Sequence, residues 1–195
     1  MSEHGYRVRA RSSRRIADVA EAFLRQVAPG HLHTGTALDL GGLVDHGFDQ
    51  MGIHVYPVAD KELPHSEAET RAGAGEDVEI LMRQEFFDAL FVRTSNTNRA
   101  RSTLAHEVGH AVLHAEEIRA GHHRPEEFAL RRALRSDIKA YEDAEWQAHM
   151  FAGVFLIPRP PLRTADLSGV GLLAQRFEVS EAFVVSHLSR IRRIL

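Results

Sequence analysis

The stretch His106-Glu107-Val108-Gly109-His110 decides how this chain is read. On an α-helix, residues four apart lie on one face, about one turn from each other. His106 and His110 can therefore direct two imidazole nitrogens at one cation. Glu107 then sits beside the cation, where its carboxylate can take a proton from a bound water. This is the spacing with which metalloprotease helices hold zinc, and the ion is expected to draw the pKa of bound water down to ~7.

The surroundings support a helix. Leu104, Val108, Ala111 and Val112 recur at helical spacing and make an inward face. Asn98 is the expected N-cap. Gly109 costs roughly 1 kcal/mol against alanine inside a helix, so its presence predicts close approach of backbone or ligand.

Working outward, the chain has 195 residues, enough for one domain or one domain with an appendage. Hydrophobic content of 44% and charged content of 26% are those of a globular protein with a real core. A net charge of −3 gives no global signal for nucleic acid or membrane. No run of ~18 apolar residues exists to span a bilayer, and the N-terminus lacks an apolar signal segment. With no cysteine, disulfides are excluded and a zinc site must be built from His, Asp and Glu. These features lead to the expectation of a cytoplasmic protein without membrane contact. Arg7, Arg9, Arg11, Arg14 and Arg15 form one local basic cluster, read as a solvated tail and helix start.

Ser12 or Ser13 is expected to cap a helix running to about Val27, with Ile16, Val19, Ala20, Phe23 and Leu24 buried. A second helix is expected from about Leu40 to Met51. Residues 53–58, 66–72 and 77–84 read as strands, and Phe91-Val92 as a further short one. After the motif helix, residues 118–125 read as a loop, and helix resumes from about Glu126 to Phe155 with a break near Ser136. Pro158, Pro160 and Pro161 stop regular structure. Two short helices are expected at about 166–177 and 180–193. This order predicts an α+β fold: a small, mostly antiparallel sheet, a zincin-like helix and a C-terminal helix pair. Its expected parts are a basic segment and helix (1–30), a metallopeptidase core (31–165) and the helix pair packed on it (166–195).

A catalytic zinc needs a third protein ligand. His114 lies eight residues from His106, about 12 Å along the helix axis, too far to share one ion. It reads as a helix-end histidine facing terminal carbonyls. The better source is a crossing helix carrying Glu142, Asp143 and Glu145, whose Ala144 and Ala148 permit close approach. Glu145 and His149 are four apart and can face one spot. Glu145 is the first choice of ligand and Glu142 the reserve, with His149 as an orienting partner. Tyr141 and His149 are the nearest candidates to donate to a developing oxyanion.

Together, Arg99–His114 and the block Glu145-Trp146-Gln147-Ala148-His149-Met150-Phe151-Ala152, closing with Phe155-Leu156-Ile157-Pro158, resemble the ImmA/IrrE-type metallopeptidase family. The resemblance covers roughly residues 38–190. It implies a gluzincin-like site with His106, His110 and Glu145 on Zn2+ and Glu107 as general base. It also implies cleavage of one specific protein, a transcriptional repressor of helix-turn-helix type, in phage, mobile-element or stress-response systems. The chain departs from the family at His149, where Asn or Asp is usual, and at Ser102, where a bulky aromatic is usual.

Two other classes compete. Residues 173–188 have the rhythm of a helix-turn-helix, but Glu181, Phe183, Ser186 and His187 suit base edges poorly. Direct nucleic-acid binding is therefore not the leading expectation. A non-proteolytic regulator, such as half of a toxin–antitoxin or phage-type module, is the other alternative. The intact Glu107 argues against it, because metal binding alone needs no base.

Overall fold

The computed structural model describes residues 4–123 and 132–195. Among them are strands β1 (His4–Tyr6), β2 (Ile53–Val58), β3 (Ala68–Ala72), β4 (Val78–Arg83) and β5 (Arg132–Leu134). The α-helices are α1 (Ser13–Val27), α2 (His31–Thr34), α3 (Leu40–Gly42), α4 (Gln84–Asp88), α5 (Thr97–His123), α6 (Ala144–Leu156), α7 (Arg159–Leu162), α8 (Val170–Phe177) and α9 (Glu181–Ile191).

Helix α1 starts where its cap predicts, with Ser12 Oγ accepting from the Arg15 N–H at 3.2 Å. Ile16, Ala20, Phe23 and Leu24 are buried, while Val19 is only partly covered. The Phe23 ring packs on Phe151 and Phe155 of α6, with centroids 6.2 and 5.9 Å away.

The expected helix at 40–51 is helical but not one α-helix. Helix α3 widens into a π-turn over Leu43–Gly47, then tightens into a 3-10 turn over Asp49–Met51. Gly41, Gly42 and Gly47 weaken regular α-helix here, and Gly52 ends the run at φ 66°.

Strand β4 is central, parallel to β2 and antiparallel to β3, and β1 pairs antiparallel with β5. Two of these three pairings are antiparallel, so the described residues form an α+β fold with a small, mostly antiparallel strand component. Val78, Ile80 and Met82 alternate into the core as period-two patterning requires. Pro57 is tolerated because β2 is an edge strand.

Several expectations need correction. Phe91 and Val92 are not a strand: they follow α4 in a turn, 44% and 64% exposed. The motif helix begins at Thr97, so Asn98 lies inside its first turn, and Asn96 O accepts the first helical bond from Ala100 at 2.8 Å. Residues 118–123 continue α5 rather than form a loop. The expectation for 124–131 falls outside the described residues. Residues 132–134 are a strand, not helix, and Arg135–Asp137 and Ala140–Glu142 are 3-10 turns. Helix α6 starts only at Ala144, where Asp143 Oδ1 accepts from the Glu145 and Trp146 N–H groups at 2.8 and 3.2 Å. The prolines end α6 but also open α7, whose first turn needs no N–H from Pro160 or Pro161.

The expected C-terminal pair is present as α8 and α9, but α8 starts at Val170, with 166–169 a turn before it. Glu178 in the left-handed region joins the two, and Ser180 caps α9 on the Phe183 N–H at 3.1 Å. One apolar cluster runs through α1, β4, α5, α6, α8 and α9. Against its edge Arg159 makes a bidentate pair with Glu21, both bonds 2.8 Å, and reaches Asp18 at 2.7 Å. No described helix is long and apolar enough to cross a membrane.

Candidate metal centre

Helices α5 and α6 cross at Gly109, where an added Cβ would lie 3.0 Å from Ala148 O. That proximity brings Glu145, one turn before Ala148, to the two motif histidines. Glu145 Oε2 is 3.2 Å from His106 Nε2, and its Oε1 is 3.3 Å from His110 Nε2. The two Nε2 atoms are 3.1 Å apart. Donors each ~2.1 Å from a tetrahedral ion lie about 3.4 Å from each other, so this spacing is close to that of a common cation. All three donor atoms fall within 4.8 Å of one another, and among the described residues no other such group of His and carboxylate donors occurs.

The electrostatics follow from the convergence. Hydrogen bonds from His106 and His110 hold the Glu145 carboxyl well below the usual carboxylate range. Burial opposes charge on His110, but Glu145, with the nearby Glu107 and Asp143, outweighs it and raises the pKa. A carboxylate facing two imidazoles is a donor set of hard and borderline character, suited to a divalent ion.

Glu107 is not among the three converging donors. Thr70 Oγ1, on β3, donates to its Oε2 at 2.6 Å and is 3.1 Å from its main-chain oxygen. Glu107 lines a cleft of about 550 Å3 with Tyr6, Val8, Thr70, Ile118 and Glu145. A second hollow of about 350 Å3, with His149 and Phe183 in its wall, shares Ser66, Ala68, His106 and Glu107 with the first. Together they form a trough crossing α5 at the motif.

The other sequence candidates lie around this centre. The His149 ring packs against His106, with centroids 4.3 Å apart, yet the residue stays exposed on its other side. Partial desolvation, then the neighbouring His106 and Arg190, push its pKa down to about 4. Glu142 faces Arg7 at 3.8 Å and is outside the donor group. Tyr141 is 42% exposed, with its ring beneath Lys139 Nζ at 5.7 Å. His114 is not at a helix end, because α5 continues to His123. It is 2% exposed, and its Nδ1 is 3.1 Å from His110 Nδ1. Burial, then the neighbouring His110, push its pKa down to about 3.

Sequence reasoning missed Thr70, which no local pattern marks, and the contact of His114 with His110. The continued four-residue spacing from His110 was the available signal for the latter.

Two histidines on one helix and a carboxylate on the helix crossing it converge beside an open trough, and comparison with known families gives the class to which the chain belongs. The model of peptidase family M78, described as the IrrE N-terminal-like domain, matches residues 89–189, just over half of the chain, and the chain belongs to this family of metallopeptidases. His106, Glu107, His110 and Glu145 all lie within the matched span. No curated protein matches the chain.

Proposed function

We propose that the chain is a zinc-dependent endopeptidase that cleaves one specific protein, a helix-turn-helix transcriptional repressor, in the cytoplasm. The observation that carries this reading is the convergence of His106, His110 and Glu145 beside Glu107 in an open trough. The repressor as substrate rests on the resemblance of the two sequence blocks to ImmA/IrrE-type proteins.

His106, His110 and Glu145 would hold the ion. When bound, zinc supplies Lewis acidity, polarising a carbonyl and acidifying a water. Glu107 takes the proton from the attacking water and returns it to the leaving amine, as general base and then acid. Thr70 holds Oε2 of Glu107 and so restricts rotation of its carboxylate. Residues 68–70 of β3 line the trough, and among the described residues β3 pairs on one side only, with β4. An extended peptide can lie along that free edge, its main chain bonded to the strand. His149, which lines the second hollow, is the better placed donor for a developing oxyanion, since Tyr141 lines neither hollow.

The DNA-binding alternative loses a residue it needs. His187 is 1% exposed and bonds Ile157 O at 3.0 Å, so it cannot reach a base edge.

The test is elemental analysis of wild type, His106→Ala and Glu145→Ala, followed by incubation with a repressor encoded beside the gene. About one zinc per chain, lost in both variants, and cleavage abolished in a zinc-loaded Glu107→Gln are expected. A wild type that takes up no zinc on reconstitution, or a Glu107→Gln that cleaves normally, overturns the reading.

A further inference from the structure

Gln147 lies on α6, two residues beyond Glu145, and is fully buried. Its side chain is held from both ends. The amide Nε2 donates to two main-chain oxygens, Arg9 O at 2.9 Å and Tyr141 O at 2.8 Å. The opposite end, Oε1, accepts from an Arg11 guanidinium nitrogen at 3.0 Å and faces His114 Nε2 at 3.2 Å. Turning the amide over would set an oxygen against two carbonyls and an NH2 against a guanidinium. An acceptor cannot bond an acceptor, nor a donor a donor, so the three neighbours of settled polarity, Arg9 O, Tyr141 O and the Arg11 guanidinium, leave one orientation.

That orientation propagates. Because Oε1 can only accept, the hydrogen of a neutral His114 belongs on Nε2, which leaves a lone pair on Nδ1. His114 Nδ1 faces His110 Nδ1 at 3.1 Å, so the hydrogen between them must come from His110. His110 then carries a hydrogen on Nδ1, so Nε2, whose proton meets Glu145 in the metal-free site, is the nitrogen that can give up its proton and offer a lone pair to an ion. That nitrogen is the one facing His106 and Glu145. Which ring nitrogen of a histidine is free for a metal is set by the hydrogen bond the other one makes.

Accordingly, we infer that Gln147 and Arg11 are positioning residues of the metal centre, which fix the tautomer of His110 through His114. The N-terminal segment thereby becomes part of the site. Arg11 also donates to Leu113 O at 2.7 Å, tying its guanidinium to α5 between the motif and His114. The inference rests on the metallopeptidase reading for its purpose, but the polarity of the chain Arg11–Gln147–His114–His110 stands on the hydrogen-bond partners alone.

The test is long-range 1H–15N correlation of the imidazoles in the full-length protein, metal-free and zinc-loaded, with zinc affinity measured by chelator competition. In wild type, His114 is expected as the Nε2–H tautomer and His110 with a hydrogen on Nδ1. Gln147→Met keeps the volume and removes the polarity. It is expected to leave His114 as a mixture of tautomers and to weaken zinc binding about tenfold, in line with loss of a ligand-orienting partner. Arg11→Met, at the half-buried end of the chain, is expected to act in the same direction, with recovery in Arg11→Lys. It carries the test if Gln147→Met does not fold. A His114 with its hydrogen on Nδ1 in wild type, or unchanged tautomers and affinity in the variants, overturns the inference. The tautomer readout needs no metal. A wild type with the expected tautomers that binds no zinc therefore supports the polarity chain while overturning the metallopeptidase reading.

Discussion

Gly109 of α5 and Ala148 of α6 meet backbone to backbone: a Cβ on Gly109 would stand 3.0 Å from Ala148 O and 3.1 Å from Ala148 Cα. Neither atom is the end of a flexible side chain, so the helices themselves must move to admit a methyl group. Their crossing point sits between the two motif histidines and the turn carrying Glu145, so separation there is transmitted to all three donors. Gly109→Ala gains roughly 1 kcal/mol of helix propensity but widens the donor triangle. The expected result is weaker zinc binding in a chain that still folds, read by chelator competition beside a thermal melt of the metal-free protein. Unchanged zinc affinity would show that the close crossing does not govern the site.

Thr70 supplies a hydrogen bond of 2.6 Å to Glu107 Oε2. Hydrogen bonds to charged groups contribute ~1.5–3 kcal/mol. That bond orients the carboxylate, so if Glu107 is the base, freeing it in Thr70→Val should lower kcat about tenfold through lost positioning with zinc content unaltered, and Thr70→Ser should restore most of it. Single-turnover cleavage separates this from a change in substrate binding. A Thr70→Val with wild-type kcat would remove Thr70 from the machinery.

Arg159 and Glu21 are 8% and 7% exposed and bonded through both nitrogens. The pair ties α1 to the turn that follows α6. Removing the cation alone leaves the Glu21 carboxylate buried with no counter-charge, which costs ~3–5 kcal/mol. Arg159→Met should therefore lower the urea midpoint strongly, whereas Arg159→Met with Glu21→Leu should recover much of the loss. Equal losses in the single and double variants would mean that packing, not the stranded charge, sets the cost.

The parts of this molecule that were legible in its sequence are those fixed by near neighbours along the chain. Ser12 caps α1, the motif histidines share a face, and small residues at 109 and 148 announce a close crossing. What was not legible depends on distant partners. Residues 132–134 are a strand only because His4–Tyr6 comes to pair with them, and nothing between 126 and 136 signals that. Thr70 reaches Glu107 across 37 positions from a strand. The distance argument about His114 addressed only whether it could share an ion with His106. It overlooked that the other nitrogen of His110 also needs a partner, one turn further along the same helix. The prolines at 158, 160 and 161 read as a stop because their lack of N–H ends a helix, although the same lack suits the first turn of the next.

His187 on α9 makes stability depend on acidity. Its Nε2 is bonded to Ile157 O at 3.0 Å, and a Cβ on Gly153 would overlap its ring, so the imidazole fills the angle between α6 and α9. Burial pushes its pKa down to about 4 from the ordinary 6.5, with Arg190 adding to the effect and the Ile157 carbonyl opposing it. Between those two values the unfolded chain binds a proton that the native chain refuses. The contribution of His187 is therefore complete above about pH 6.5 and is lost as the pH falls toward 4. At 1.36 kcal/mol per pKa unit, the loss is ~3 kcal/mol. His31, His114 and His149, also lowered, act with the same sign, so the wild-type slope exceeds that of one proton. Urea unfolding of metal-free wild type and His187→Gln across this window should give a less stable variant at neutral pH, with a slope shallower by about one proton. Parallel slopes would place the acid sensitivity of the fold elsewhere.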